Sequence, residues 1–417
     1  MSLKKMLSGL NQISALALIV WVCLPWVAQN MGLVAGFLLA ALWSVTAILL
    51  HPPKKIGWDE GFMVLFLLCV ISSFFLYGRI YEELAFYYAV SMIALFFLPY
   101  YMMKFYIAQE KTKFLGSLAV CAMLCMIVGA ITSSYFTALD SNIMKTISQA
   151  KDTEFVELRK AGIGSFGFVY MLVFCVIALV GFYKNKIKMN AFLKIVSVIF
   201  LIAAIKCIID STFTTALLLT VLGVLLVLVT SKKNPQLNPL IYVFVAVGFL
   251  LMSRLLGQLL ANITVASEDV TIRLNEIGQL LLGEEVGTNV GGRWEYMKKS
   301  FDCFLEYPLF GYNMQENPTV SFGGHSEWFD LLAVYGLCGG IPLLATVIYK
   351  LRQTKQTMKN TLGYPFYGAV LLIFCIFGFL DPFLRLYHIG FALFLIIPSF
   401  ACLSRASDKK GEKHENC

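Results

Sequence analysis

Long apolar runs, each closed by a short polar break, recur from one end of the chain to the other. Candidate spans fall at approximately 12–29, 32–50, 60–78, 84–106, 114–132, 162–183, 190–209, 212–230, 239–257, 326–349, 364–381 and 386–403. Each is long enough, at roughly 20 residues, to cross a hydrocarbon core as a helix. The pattern predicts an all-α polytopic membrane protein of about twelve transmembrane helices, with residues 1–417 forming a single membrane domain. At Asn30–Met31 and at Asp210–Ser211 two spans meet with almost no loop between them. The opening stretch has a basic start and an apolar core, as a signal peptide does. No small-x-small cleavage site follows it, and another span comes at once, so it reads as a retained first helix.

The remaining polar residues collect in two stretches, 133–161 and 258–325. Loops above about 15 residues are usually functional or disordered. The second, which precedes the third-last span, carries two segments with helical spacing. One has Ile272, Ile277, Leu280 and Leu281 as its apolar stripe, and the other has Trp294, Met297, Phe301 and Phe304. Both are expected to be amphipathic helices lying at a membrane interface, so that 258–325 forms a lid.

Charge orients the spans. Lys4, Lys5, Lys54, Lys55, Lys104, Lys111, Lys113, Lys184, Lys186, Lys188, Lys232, Lys233, Lys350, Arg352, Lys355 and Lys359 fall in one set of short loops. The C-terminal tail adds Arg405, Lys409, Lys410 and Lys413, while the opposite short loops hold only Arg79 and Arg385. The positive-inside rule then places both termini in the cytoplasm and both long loops outside, with the lid between the ninth and tenth helices. The net charge of +8 is mostly this signal, scattered through short loops, and nucleic acid is not an expected partner. Composition agrees: 59% of residues are hydrophobic and 14% charged, and mean hydropathy is +0.76, whereas soluble domains carry about a quarter charged residues.

The 11 cysteines form no CxxC, and most sit in apolar runs; Cys303 in the lid and Cys417 in the tail stand apart. Neither a disulfide framework nor a zinc site is indicated. The acid pairs Glu268–Asp269 and Glu284–Glu285 read as solvated, no DxD occurs, and neither a metal nor a cofactor is expected.

The chemistry-bearing residues gather at the end of the lid. His325 follows Gly323–Gly324 and precedes Ser326, which can cap the helix that opens there, with Glu327 and Asp330 in its first turn. A helix N-terminus disfavours imidazolium, so a neutral ring there can accept a proton. After Ser326 come nine residues, Gly336, two residues and Gly339. Upstream, Arg293 is preceded by two glycines and leads through Trp294 into Pro308, Leu309 and Gly311.

This pattern resembles the O-antigen ligase and O-antigen polymerase superfamily. That family shows a histidine followed by Asn, Ser or Gln, nine residues, Gly, two residues, and a small residue or Tyr. It also shows an upstream Arg–x–aromatic helix running into a Pro-Leu-x-Gly-x turn. The resemblance implies a GT-C-like membrane glycosyltransferase on the outer face of the bacterial cytoplasmic membrane. Such an enzyme polymerises undecaprenyl-diphosphate-linked oligosaccharides into O-antigen, capsule or exopolysaccharide. Alternatively, as a ligase, it transfers the glycan to lipid A core or protein. The implied partners are the lipid-linked donor, a glycan acceptor, membrane lipid and a chain-length regulator. One departure is plain: the Ser-Arg that members often carry before the lid is here Ser211 with no arginine.

A diphosphate-linked sugar has a good leaving group, so the reaction needs a base for the acceptor hydroxyl and fixed cations for the departing diphosphate. His325 is the candidate base, and Arg293 and Arg273 are the candidate clamps, because a guanidinium fork suits phosphate oxygens. Lys298, Ser326, Glu327, Trp294 and Tyr312 are candidate substrate contacts. Lys299, Arg159 and Lys160 are weaker ones, and Arg254 reads as an anchor. Tyr296, Tyr307 and Trp328 suit either sugar stacking or an interfacial aromatic belt. Lys206 and Asp210, four residues apart in an apolar span, are either functional or a mutual ion pair. Gly336 and Gly340 form a GxxxG suited to close helix packing. A transporter or polysaccharide flippase is the competing class. Against it, residues 1–200 and 201–417 show no repeat, and the polar residues sit in one outer loop instead of at mid-membrane.

Overall fold

The computed structural model describes residues 2–52, 57–77, 83–149, 160–185, 189–230, 240–242, 244–245, 257–259, 261–263, 271, 275, 278–279, 291–315, 319–360, 364 and 366–403. Among them all regular structure is helical. In chain order the helices are α1 (Leu3–Cys23), α2 (Pro25–Leu50), α3 (Trp58–Tyr77), α4 (Glu83–Ala108), α5 (Thr112–Leu139) and α6 (Ile143–Gln149). These are followed by α7 (Phe166–Lys184), α8 (Ala191–Asp210), α9 (Thr214–Val229), α10 (Gly291–Glu306), α11 (Glu327–Asn360), α12 (Tyr367–Leu380) and α13 (Tyr387–Cys402). Six of them, α1, α2, α5, α7, α8 and α11, are long and apolar enough to cross a membrane; α9, α12, α13 and parts of α3 and α4 are shorter apolar helices. The chain is a multi-pass membrane protein. Most of the span expected at 239–257 lies outside the described residues.

Two breaks separate the first two spans, one earlier than the expected Asn30–Met31 and one beside it at Gly32. Helix α1 stops at Cys23, Leu24 is extended, and Pro25, which has no N–H to continue α1, opens α2. The second bend falls inside α2 at Gly32 (φ 72°), whose carbonyl accepts the Trp21 indole N–H at 3.1 Å. The break at Asp210–Ser211 is where the sequence puts it: the Ser211 hydroxyl donates to Ile208 O, Thr212 is left-handed (φ 60°), and α9 follows. Residues 133–139 belong to α5, not to the first long loop. Ser133 and Thr137 donate back to the carbonyls of Gly129 and Ser133, which lets polar residues stay helical.

Helix α7 is buried along nearly its whole length and packs against α8, α9 and α13. Its last residue, Lys184, donates to Val227 O, Leu228 O and Thr230 O, satisfying carbonyls that the end of α9 would leave orphaned. Helix α11 is flanked by α3, α10 and α12. Deep along it Lys350 is fully buried. Its ammonium donates to the Tyr101 hydroxyl at 2.8 Å and lies 4.3, 4.4 and 5.7 Å from the ring centroids of Tyr101, Tyr100 and Phe97 on α4.

Candidate functional site

The site is built where α10 and the start of α11 are fastened together at two points. The lower fastening is a backbone junction. At Gly336 (φ 61°, ψ −165°) α11 kinks, which removes the usual helical partners of the next N–H groups. Leu337 N–H bonds instead to Pro308 O at 2.8 Å, and Cys338 N–H to Leu309 O at 2.9 Å. Gly311 (φ 72°) faces the kink directly. A Cβ on Gly311 would lie 2.4 Å from Gly336 N, and one on Gly336 would lie 2.5 Å from Gly311 N. The Pro-Leu-Phe-Gly turn is therefore the piece that plugs the broken helix. This corrects the reading of Gly336 and Gly340 as one GxxxG packing face: the chain bends between α11's two halves at Gly336, and a Cβ on Gly340 would meet Leu331 and Leu332 of the same helix.

The upper fastening is a carboxylate. Asp330, buried in the first turn of α11, accepts the Ser300 hydroxyl of α10 and the Gly324 N–H (3.2 Å) on one oxygen, and the Ser326 N–H (3.0 Å) on the other. Ser300 Oγ in turn accepts the Gly323 N–H at 2.9 Å. The whole Gly323–Ser326 loop is thus wrapped around one acid. Gly323 is required because a Cβ there would fall 2.1 Å from Tyr296 O, and Gly324 because its φ is 77°. Charge-assisted bonds of this kind contribute about 1.5–3 kcal/mol each, and an unpaired buried carboxylate would be strongly disfavoured.

His325 stands at the crest of this loop, exposed, between two backbone N–H groups that Asp330 holds. Its ring centroid lies 4.5 Å from that of Tyr296, tilted by 32°, and the Lys299 ammonium lies 5.4 Å from the same tyrosine ring. Ser326 does not cap α11 with its side chain. The residue is buried, and its hydroxyl donates to Gly378 O (3.3 Å), one of the last carbonyls of α12. The cap is reversed: the Ser326 N–H is what is satisfied, by Asp330, in the manner of a capping box.

Glu327 is likewise turned inward, its Oε2 accepting the Leu384 N–H at 2.9 Å. Tyr312 is half-buried with its ring edge-on to Phe322 at 5.4 Å, and Lys298 is exposed on α10. Trp328 is packed beside Phe374 and Phe383, with its indole N–H on Cys375 O at 2.8 Å, which suits a core residue more than a sugar platform. Tyr307 shares a hydrogen bond with the Thr319 hydroxyl and accepts the Thr319 N–H, each at 2.9 Å. Arg273, Arg254 and Arg159 lie outside the described residues. Arg293 and Trp294 are on the first turn of α10, and their side chains lie outside as well. Lys206 and Asp210 form an ion pair at 2.7 Å.

On α10 Ser300 and Cys303 face α11, while of the expected apolar stripe Met297 and Phe304 are half-buried and Phe301 is 46% exposed. Cys303, expected in a loop, is fully buried with its sulfur 3.9 Å from Ala333 O; burial, with the Asp330 charge adding to it, pushes its thiol pKa up. Sequence reasoning missed Ser300 altogether and gave Asp330 only a dipole role. The available signal was an acid four residues beyond a Gly-Gly-His-Ser turn. No cluster of three or more His, Cys, Asp or Glu side chains suited to holding a metal occurs among the described residues.

No curated protein matches the chain. Residues 198–344 match the family model described as O-Antigen ligase, and this stretch contains α10, the His325 loop and the kink at Gly336. The match over residues 198–344 supports the O-antigen ligase and polymerase superfamily.

Proposed function

We propose that the protein is a membrane glycosyltransferase that polymerises polyprenyl-diphosphate-linked oligosaccharides on the outer face of the cytoplasmic membrane, within a frame of about twelve spans. The observation that carries this reading is the exposed His325, fixed on both sides by a buried carboxylate inside the matched stretch. In the reaction, an acceptor sugar hydroxyl gives its proton to the His325 imidazole as its oxygen attacks the anomeric carbon of the donor. The bond from that carbon to the diphosphate oxygen breaks, and its electron pair leaves with the polyprenyl diphosphate. Arg293, two helical turns before Ser300 on α10, and Arg273 offset the charge that grows on the leaving group. Tyr296, beside His325, offers a ring face to a sugar.

The ligase reading stands second, favoured by the description of the matching family as O-Antigen ligase. Both readings need the histidine. His325→Ala should abolish glycan transfer while the protein still inserts into the membrane, and surface glycan of normal amount and length in cells carrying it would refute the role. Deleting the gene separates the two readings: glycan reduced to one repeat unit marks a polymerase, and unattached long chains mark a ligase.

A further inference from the structure

Beyond α12 the chain makes a turn closed by the Leu386 N–H on Phe383 O at 2.9 Å, and Arg385 stands in it, exposed. Both residues before Arg385 are fixed to the first turn of α11. Leu384 donates its N–H to Glu327 Oε2 at 2.9 Å, and the Phe383 ring lies 4.9 Å from Trp328. Arg385 is thus held within electrostatic reach of Glu327 and Asp330, the second being the acid that holds the His325 loop. A guanidinium placed only to neutralise these acids would be hydrogen-bonded to them. Instead their oxygens take donors from Leu384, Ser300, Gly324 and Ser326, and the guanidinium makes no hydrogen bond to the described residues. An exposed planar fork of five N–H donors, carried on a fixed turn within electrostatic reach of the acid that holds the His325 loop, suits a phosphate oxyanion.

We infer that Arg385 binds a phosphate oxygen of the diphosphate-linked donor at the His325 site. The inference rests on the glycan-transfer reading and adds to it a residue outside the stretch 198–344. It also supplies a cation on a chain whose Ser211 lacks the neighbouring arginine.

The test is equilibrium binding to the full-length protein in nanodiscs of zwitterionic lipid. The probes are undecaprenyl diphosphate, phosphatidylglycerol and inorganic pyrophosphate, and the variants are Arg385→Gln and Arg385→Lys. Arg385→Gln should weaken undecaprenyl diphosphate about tenfold or more, the loss expected for one charge-assisted contact. Arg385→Lys should recover part of it, and the melting midpoint should stay unchanged. Weaker pyrophosphate binding in Arg385→Gln would support direct recognition of the phosphates. A loss confined to phosphatidylglycerol would overturn the donor assignment in favour of an ordinary headgroup site. Rescue of Arg385→Gln by Glu327→Gln would also overturn it, because the arginine would then act only on the buried acid. If wild type binds undecaprenyl diphosphate and Arg385→Gln binds it equally well, the inference alone fails. If wild type binds no diphosphate lipid, the glycan-transfer reading fails with it.

Discussion

Helix α11 buries charge at its start and again deep along its length, and satisfies it in two different ways. At its start, Asp330 and Glu327 take backbone N–H groups and a hydroxyl from three other pieces of chain: α10, the Gly323–Ser326 loop and the turn before α13. Farther along, Lys350 donates to the Tyr101 hydroxyl and lies against the faces of three rings of α4. Carboxylates that capture backbone donors fix the course of a loop, so His325 is presented at a defined point. An ammonium against ring faces fixes a helix and exposes nothing. Ionisable residues buried in membrane proteins are functional candidates by default. On the proposed function, Asp330 and His325 mark the reacting end and Lys350 has a packing role.

The kink between the two ends is the most sensitive point. Gly336→Val adds a Cβ where Gly311 N and Leu309 O already lie 2.5 Å away, at a φ that β-branched residues avoid. It should abolish recovery of folded protein, read as loss of the monodisperse peak in detergent; a variant that folds and transfers normally would show that the docked turn is dispensable. Next comes Asp330→Ala, which leaves the donors of Ser300, Gly324 and Ser326 without their acceptor. The expected cost is about 3 kcal/mol or more, with transfer slowed by about 100-fold or more, read from the melting midpoint and a turnover assay. Lys350→Met should have the smallest effect, because replacing a buried charge by an apolar side chain of similar length is often close to neutral. Its turnover should match wild type, and a collapse of turnover with an unchanged melting midpoint would move Lys350 into the mechanism.

The sequence made some of this readable. Apolar runs located most helices to within a few residues, since spanning a bilayer demands about 20 apolar residues whatever the fold. The start of α11 at Glu327 was legible because Gly-Gly-His-Ser followed by two acids is local chemistry. The use made of those acids was not, because the Ser300 that completes the Asp330 site is thirty residues upstream on another helix. Gly336 looked like half of a packing motif, and a glycine reads the same in a straight helix and in a kink. Lys350 was counted among the loop charges that orient the spans, and its burial depends on rings from α4. Pro25 added an earlier break by forcing a helix start inside an apolar run that hydropathy treats as continuous.

The central claim is that Asp330 serves the reaction by holding His325, and a double-mutant cycle on turnover tests it most directly. Transfer from a lipid-linked donor would be measured for wild type, His325→Ala, Asp330→Ala and the double variant, all as purified full-length protein. Groups that act as one unit lose their effects non-additively. The account predicts that the double variant is no slower than His325→Ala alone. Losses that multiply across the two positions, or a His325→Ala protein that turns over at the wild-type rate, would contradict it.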